Sequence, residues 1–167
     1  MVQRSTLGDA MTPRLGSCVA LAAILIMTAA CSGGDSGSPA SGDIWGTKTV
    51  APAAFAQELE SATGADKPVV VCVGPLVLYQ LGHVPGAVFH GPASSADGLR
   101  DLTVWAQTLP RTTSLVIYCG CCPPADCPNL RPAYTALRDL GFKKLRVLML
   151  DTNFNVDWAG RSLPVQK

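Results

Sequence analysis

The chain has 167 residues, with 13 Lys and Arg against 12 Asp and Glu, 7 Cys and 2 His. That length is room for one domain and some extra. Once Arg4, Arg14 and Asp9 of the N-terminal segment are set aside, 11 basic residues face 11 acidic ones. So balanced a remainder gives no electrostatic ground for binding nucleic acid or an acidic membrane surface.

Residues 1–30 read as a targeting signal. Arg4 and Arg14 supply a positive start, and Val19 to Ala30 is an uncharged apolar run ending in small residues. Even counted from Leu15 the run is shorter than the roughly 20 residues a spanning helix needs. Met11 is an alternative start, leaving Met-Thr-Pro-Arg ahead of the apolar run. The run closes on Thr28-Ala29-Ala30-Cys31, which resembles the lipobox of bacterial lipoproteins. That resemblance implies cleavage before Cys31 and lipidation of its thiol; plain secretory cleavage would leave Cys31 an ordinary cysteine. Ser32 to Asp43 holds no large apolar residue, so residues 31–43 are expected to be a flexible Gly/Ser-rich tether between a membrane anchor and a folded domain.

Residues 44–167 are the candidate domain, a normal size for a single core. Pro52 near a helix start, with Phe55 and Leu59 four apart, predicts a short amphipathic helix within Thr49–Thr63. Pro68 to Val73 is a β-branched apolar run that fits a buried parallel strand. One helical turn is expected at Val77–Leu81 and a brief strand at Ala87–Phe89. Leu99, Leu102, Trp105 and Leu109 mark a helix stopped by Pro110 and facing the core. Ser114 to Tyr118 predicts another strand. Leu130, Ala133, Tyr134, Leu137 and Leu140 recur at helical spacing up to Gly141, and a last strand follows at Leu145–Leu150. Helices alternating with buried strands predict an α/β fold, a mostly parallel sheet flanked by helices. Ligands in such folds bind beyond the carboxyl ends of the strands. The strand ending at Tyr118 runs directly into Cys119-Gly-Cys-Cys-Pro-Pro-Ala-Asp-Cys-Pro128, so chemistry is expected there.

Several pieces together resemble the rhodanese family. Tyr79 to Ala87, with Gly82-His83-Val84-Pro85-Gly86-Ala87, is similar to that family's Y-x-x-G-H-I-P-G-A turn. Leu115 to Cys119 resembles the strand that delivers its catalytic cysteine. Leu140-Gly141-Phe142, the following strand, and Trp158 with Gly160 to Val165 resemble the family's closing segments. The resemblance spans roughly Thr49 to Val165. It implies a single rhodanese-like domain with Cys119 as the catalytic nucleophile of sulfane-sulfur transfer. A thiolate takes a sulfur atom from a small donor, holds it as a persulfide and passes it to a thiol acceptor, with no cofactor. Such a thiolate needs N–H groups around it, which a loop ahead of a helix N-terminus can supply. The chain departs from the family pattern in three places. Cys72-Val73-Gly74 stands where Asp-x-Arg usually follows the first strand. The cysteine loop is several residues longer and has no basic residue before Arg131, the candidate anion-binding residue. Asp151-Thr152-Asn153 replaces a Gly-Gly pair.

The cysteines leave alternatives open. Cys72 reads as a buried small hydrophobe. Cys121, Cys122 and Cys127 are candidates to resolve the persulfide or to form a loop disulfide. Cys119, Cys121, Cys122 and Cys127 together are a candidate Zn²⁺ or Cu(I) ligand set, although C-x-C-C-x₄-C is no standard zinc spacing. Cys119-Gly-Cys-Cys122 is formally a C-x-x-C redox motif, but Pro123-Pro124 stand where a thioredoxin-type helix would begin. A phosphatase would need Arg six positions after its nucleophile; those positions hold Ala125, Cys127, Pro128 and Ala133. Asn129 is expected to cap the helix that follows, leaving Pro132 at its third position. The N-terminal dipole of that helix is expected to depress the Cys119 pKa. Gly86 after Pro85 predicts a turn with positive φ, and His83 reads as part of the same turn.

Overall fold

The computed structural model describes Trp45 and residues 48–167. The N-terminal signal, Cys31 and the Gly/Ser-rich stretch lie outside the described residues. Among the described residues no helix is long and apolar enough to cross a membrane.

Five strands form one sheet: β1 (Thr49–Val50), β2 (Val69–Cys72), β3 (Val88–Phe89), β4 (Leu115–Tyr118) and β5 (Leu145–Leu148). Their order is β1-β5-β4-β2-β3, and every pairing is parallel. This is the expected mostly parallel α/β sheet. The helices are α1 (Pro52–Ser61), α2 (Leu76–Leu81), α3 (Ala96–Gln107), α4 (Leu130–Asp139) and α5 (Phe154–Asp157). β1 is an addition to the four strands expected. Two residues carry no periodicity, and Thr49–Val50 becomes a strand by lying in register with Val147–Leu148. β5 ends at Leu148 rather than Leu150.

Alternation along the strands sorts the core into two layers. Val71, Leu115, Ile117 and Val147 point to one face, where Leu102 of α3 and Ala133 and Leu137 of α4 pack on them. Val70, Cys72, Val116 and Tyr118 point to the other face, under Phe55 of α1 and the fully buried Trp158. Successive side chains of a strand point to opposite faces, so a sheet buried on both sides needs apolar residues at consecutive positions. Cys72 is buried on the α1 face, as its position in a strand predicts.

The helix ends follow local chemistry. Pro52 opens α1, where its missing N–H costs nothing. Ser95 caps α3 by accepting from the Gly98 N–H at 3.0 Å. Gly141, with φ +94°, stops α4; its N–H donates to the Arg138 carbonyl and the Phe142 N–H to the Leu137 carbonyl, the paired bonds of a left-handed helix stop. The Val84–Ala87 turn has Gly86 at φ +75°. His83 stacks on Tyr79 at 3.9 Å with its Nδ1 2.9 Å from the Tyr79 carbonyl, so it belongs to that turn. Trp105 is half-buried at the rim of the core and stacks on His90 at 4.3 Å.

Candidate functional site

β4 is hydrogen-bonded on both edges, to β2 and to β5, so the residue after it is held by the centre of the sheet. That residue is Cys119. It continues the alternation of Leu115 and Ile117 and therefore points to the α3–α4 face. Gly120 takes φ +82° and turns the chain out of the sheet. Pro124–Asp126 then form a single 3-10 turn, and the Cys127 N–H closes it on the Pro124 carbonyl. This turn folds the loop back on itself. It brings Cys127 to the N-terminal end of α4, beside the cysteines it left behind.

The result is a cluster of four free thiols. The Sγ atoms of Cys119, Cys121, Cys122 and Cys127 all lie within 4.8 Å of one another. Cys119 and Cys121 sulfurs are 3.1 Å apart, and Cys121 and Cys122 sulfurs 2.8 Å. Cys119 and Cys127 are buried; Cys121 and Cys122 are half-buried and open the cluster to solvent. The unusual sequence spacing converges because the 3-10 turn absorbs the four residues between Cys122 and Cys127.

Charge within the cluster settles on Cys127. Its pKa is lowered by the neighbouring Cys119 thiol and, against the effect of burial, by the backbone N–H groups of Asn129 and Leu130. The neighbouring Cys127 sulfur and burial both push the Cys119 pKa up. Burial, then the bond to Cys121, raises Cys122 as well. The expectation of a depressed Cys119 pKa is thus corrected. The free N–H groups of α4 do favour a thiolate, but the loop turns Cys127 toward them and leaves Cys119 on the floor as the proton donor. On the opposite face of the sheet, burial pushes the Cys72 thiol up to about 11.

Asn129 was expected as a cap, and it does occupy the residue before α4, with Pro132 third in the helix. Its side chain makes no cap bond. Instead Nδ2 donates to Cys119 Sγ at 3.3 Å, while Oδ1 accepts from the Ser94 N–H at 3.0 Å. Asn129 is itself buried. It is therefore a site residue that sequence reading assigned to the backbone. Gly74 is a second one. A Cβ there would overlap the Cys119 carbonyl oxygen and lie 2.9 Å from Cys119 Sγ. Gly74 stands where the family's Asp-x-Arg has its Arg, and with Cys119 this close a side chain at position 74 has no room. The third departure also has a local reason. The buried carboxylate of Asp157 accepts from the N–H groups of Thr152 and Asn153, and Asn153 caps α5 through the Val156 N–H at 3.0 Å. Arg131 is exposed in the first turn of α4, and Asp126 is exposed in the 3-10 turn.

No family model matches the chain, and no curated protein does. Among solved structures the chain is similar to the rhodanese-like domain of a protein from Anabaena sp., determined by NMR in solution. The identity is 19%, the match covers 71% of this chain and 78% of that one, and the TM-score is 0.53. At that identity the likeness speaks for architecture. Joined to the all-parallel sheet and its strand order, it gives the domain its description: a rhodanese-like α/β fold with a four-cysteine loop at the end of its central strand.

Proposed function

We propose that the domain is a sulfurtransferase-type carrier of sulfane sulfur in the bacterial cell envelope, with Cys119 as the acceptor. The observation that carries this reading is the place of Cys119, the first residue beyond the central strand of a rhodanese-like fold, at the edge where α/β sheets present their ligands. Asn129 Nδ2 donates to its sulfur at 3.3 Å and would help hold the negative charge of a persulfide there.

The chemistry needs no added oxidant. The Cys119 sulfur attacks the outer sulfur of a donor such as thiosulfate. The donor S–S bond breaks and sulfite leaves with the electron pair. The Cys119 proton passes through the neighbouring thiols to solvent, and Cys119 keeps one extra sulfur as a persulfide. An acceptor thiolate then attacks that outer sulfur and Cys119 departs as a thiolate, ready for another cycle. Lipidation at Cys31 would hold the domain at the membrane, outside the cytoplasm.

The test is intact mass of the full-length protein in detergent, treated with a chelator and a reductant, then with thiosulfate or glutathione persulfide. The wild type is expected to gain one sulfur atom that a thiol acceptor removes, and Cys119→Ser to gain none. Sulfur uptake by Cys119→Ser, or none by the wild type, overturns the assignment.

A further inference from the structure

We infer that Cys119, Cys121, Cys122 and Cys127 together form a site for one thiophilic closed-shell cation, Cu⁺ or Zn²⁺. This goes beyond sulfur transfer and does not depend on it, because it rests on the arrangement of all four sulfurs. A persulfide carrier needs one cysteine at the loop floor and a single neighbour to take its proton or resolve the persulfide; the convergence of all four sulfurs exceeds that need.

The geometry suits a metal. Metal–sulfur bonds near 2.3 Å in a tetrahedron put the sulfurs about 3.8 Å apart. Here all four sulfurs already lie within 4.8 Å of one another, and two neighbouring pairs are at 3.1 and 2.8 Å. Small sulfur displacements around a central ion suffice, with no change of fold. The donor set is all sulfur, which selects soft cations over Mg²⁺ or Ca²⁺. Two ligands are anchored by rigid elements: Cys119 by β4, Cys127 by the start of α4. The other two sit half-buried on the loop, so an ion has an entry path.

The surroundings suit the charge. Each thiol that ligates releases one proton. Four thiolates around Zn²⁺ carry a net charge of −2, and around Cu⁺ −3. The buried Asn129 amide donates to the Cys119 sulfur at 3.3 Å and offsets part of that charge. Metal and sulfane sulfur would compete for Cys119, so the loaded protein should be unable to take up sulfur.

The experiment uses the full-length protein in detergent, reduced and kept free of oxygen. In one arm Zn²⁺ is added, in a second Cu⁺ competed against bathocuproine disulfonate, and in a third Co²⁺ as a spectroscopic probe. One equivalent per chain is expected for Zn²⁺ or Cu⁺, and Co²⁺ should give the thiolate charge-transfer and visible bands of a tetrahedral tetrathiolate. Cys121→Ser and Cys122→Ser change half-buried loop positions and should weaken binding at least tenfold with the far-ultraviolet circular dichroism unchanged. Asn129→Ala should cost on the order of tenfold in affinity through its bond to Cys119. Cys72→Ser, on the other face of the sheet, should bind as the wild type does. The metal site is overturned if no cation reaches one equivalent, or if Cys121→Ser and Cys122→Ser bind as tightly as the wild type. Sulfur uptake by the chelated protein is read separately, so one reading can fail without the other. If metal binds and the chelated protein takes no sulfur, the site stands and the carrier reading falls; the reverse result removes the site alone.

Discussion

At the scale of single residues, four thiols converge beyond the end of β4 without being equivalent. Cys119 is legible because a buried strand ends on it. Asn129 is not, because an Asn before a helix has an adequate local explanation as a cap; only the fold brings Ser94 and Cys119 to its two ends. The same holds for the thiolate. Four cysteines in one loop look equivalent until the 3-10 turn at Pro124–Asp126 aims one of them at the free N–H groups of α4. Gly74 yields the sharpest prediction at this scale. Gly74→Ala inserts a methyl group against the Cys119 carbonyl and sulfur, and overpacking of this kind costs about 1–3 kcal/mol. A thermal melt should show a lower midpoint, and sulfur uptake should fall with it. An unchanged midpoint with normal uptake would show that the loop yields freely. Gly86→Val differs in cause. A Cβ at Gly86 meets nothing within 4 Å, so its cost is the positive φ alone, about 1–3 kcal/mol. Gly86→Asn should recover much of the loss, since Asn tolerates that conformation better. If Asn and Val prove equally damaging, crowding rather than φ is responsible.

At the scale of elements, periodicity announced α3 and α4, and apolar runs announced β2, β4 and β5. What escaped were elements made by their partners. β1 exists through two residues of pairing, and α5 through the Asn153 cap and the Asp157 carboxylate. α1 and β5 are also joined by a bond the sequence does not display. Arg146 donates to both carboxylate oxygens of Glu58, at 2.8 and 2.6 Å, with both side chains largely covered. That bond holds the Glu58 pKa below its ordinary value of 4.5 despite partial burial, and raises that of Arg146. Since the folded pKa is the lower one, the stabilisation is complete above 4.5 and fades as pH falls through the depressed value. Arg146→Ala should therefore cost about 1 kcal/mol at pH 7, and wild type and variant should converge in acid. Urea titrations at several pH values measure this. A gap that stays constant down to pH 2 would assign the loss to packing of the Arg146 stem.

At the scale of the whole molecule, the fold is legible from alternation of helix and strand, and the place of the cysteine cluster from the end of one strand. Residues 1–44 speak through their sequence alone. If Cys31 carries lipid, Cys31→Ser should move the protein out of the membrane fraction or stall its processing, and fractionation of cells followed by immunoblotting decides it. Membrane association that survives the change would point to another attachment. Asn129, finally, joins two loops that are far apart in the chain. Its Oδ1 holds the Ser94 amide proton, while its Nδ2 holds the Cys119 sulfur. Exchange of that amide proton with solvent deuterium requires the Asn129 bond to open. Anything that tightens Asn129 onto the sulfur, whether an added sulfur atom or a bound cation, should slow exchange at Ser94. The occupancy of a buried sulfur centre would then be readable by NMR from a backbone proton 25 residues upstream in the sequence.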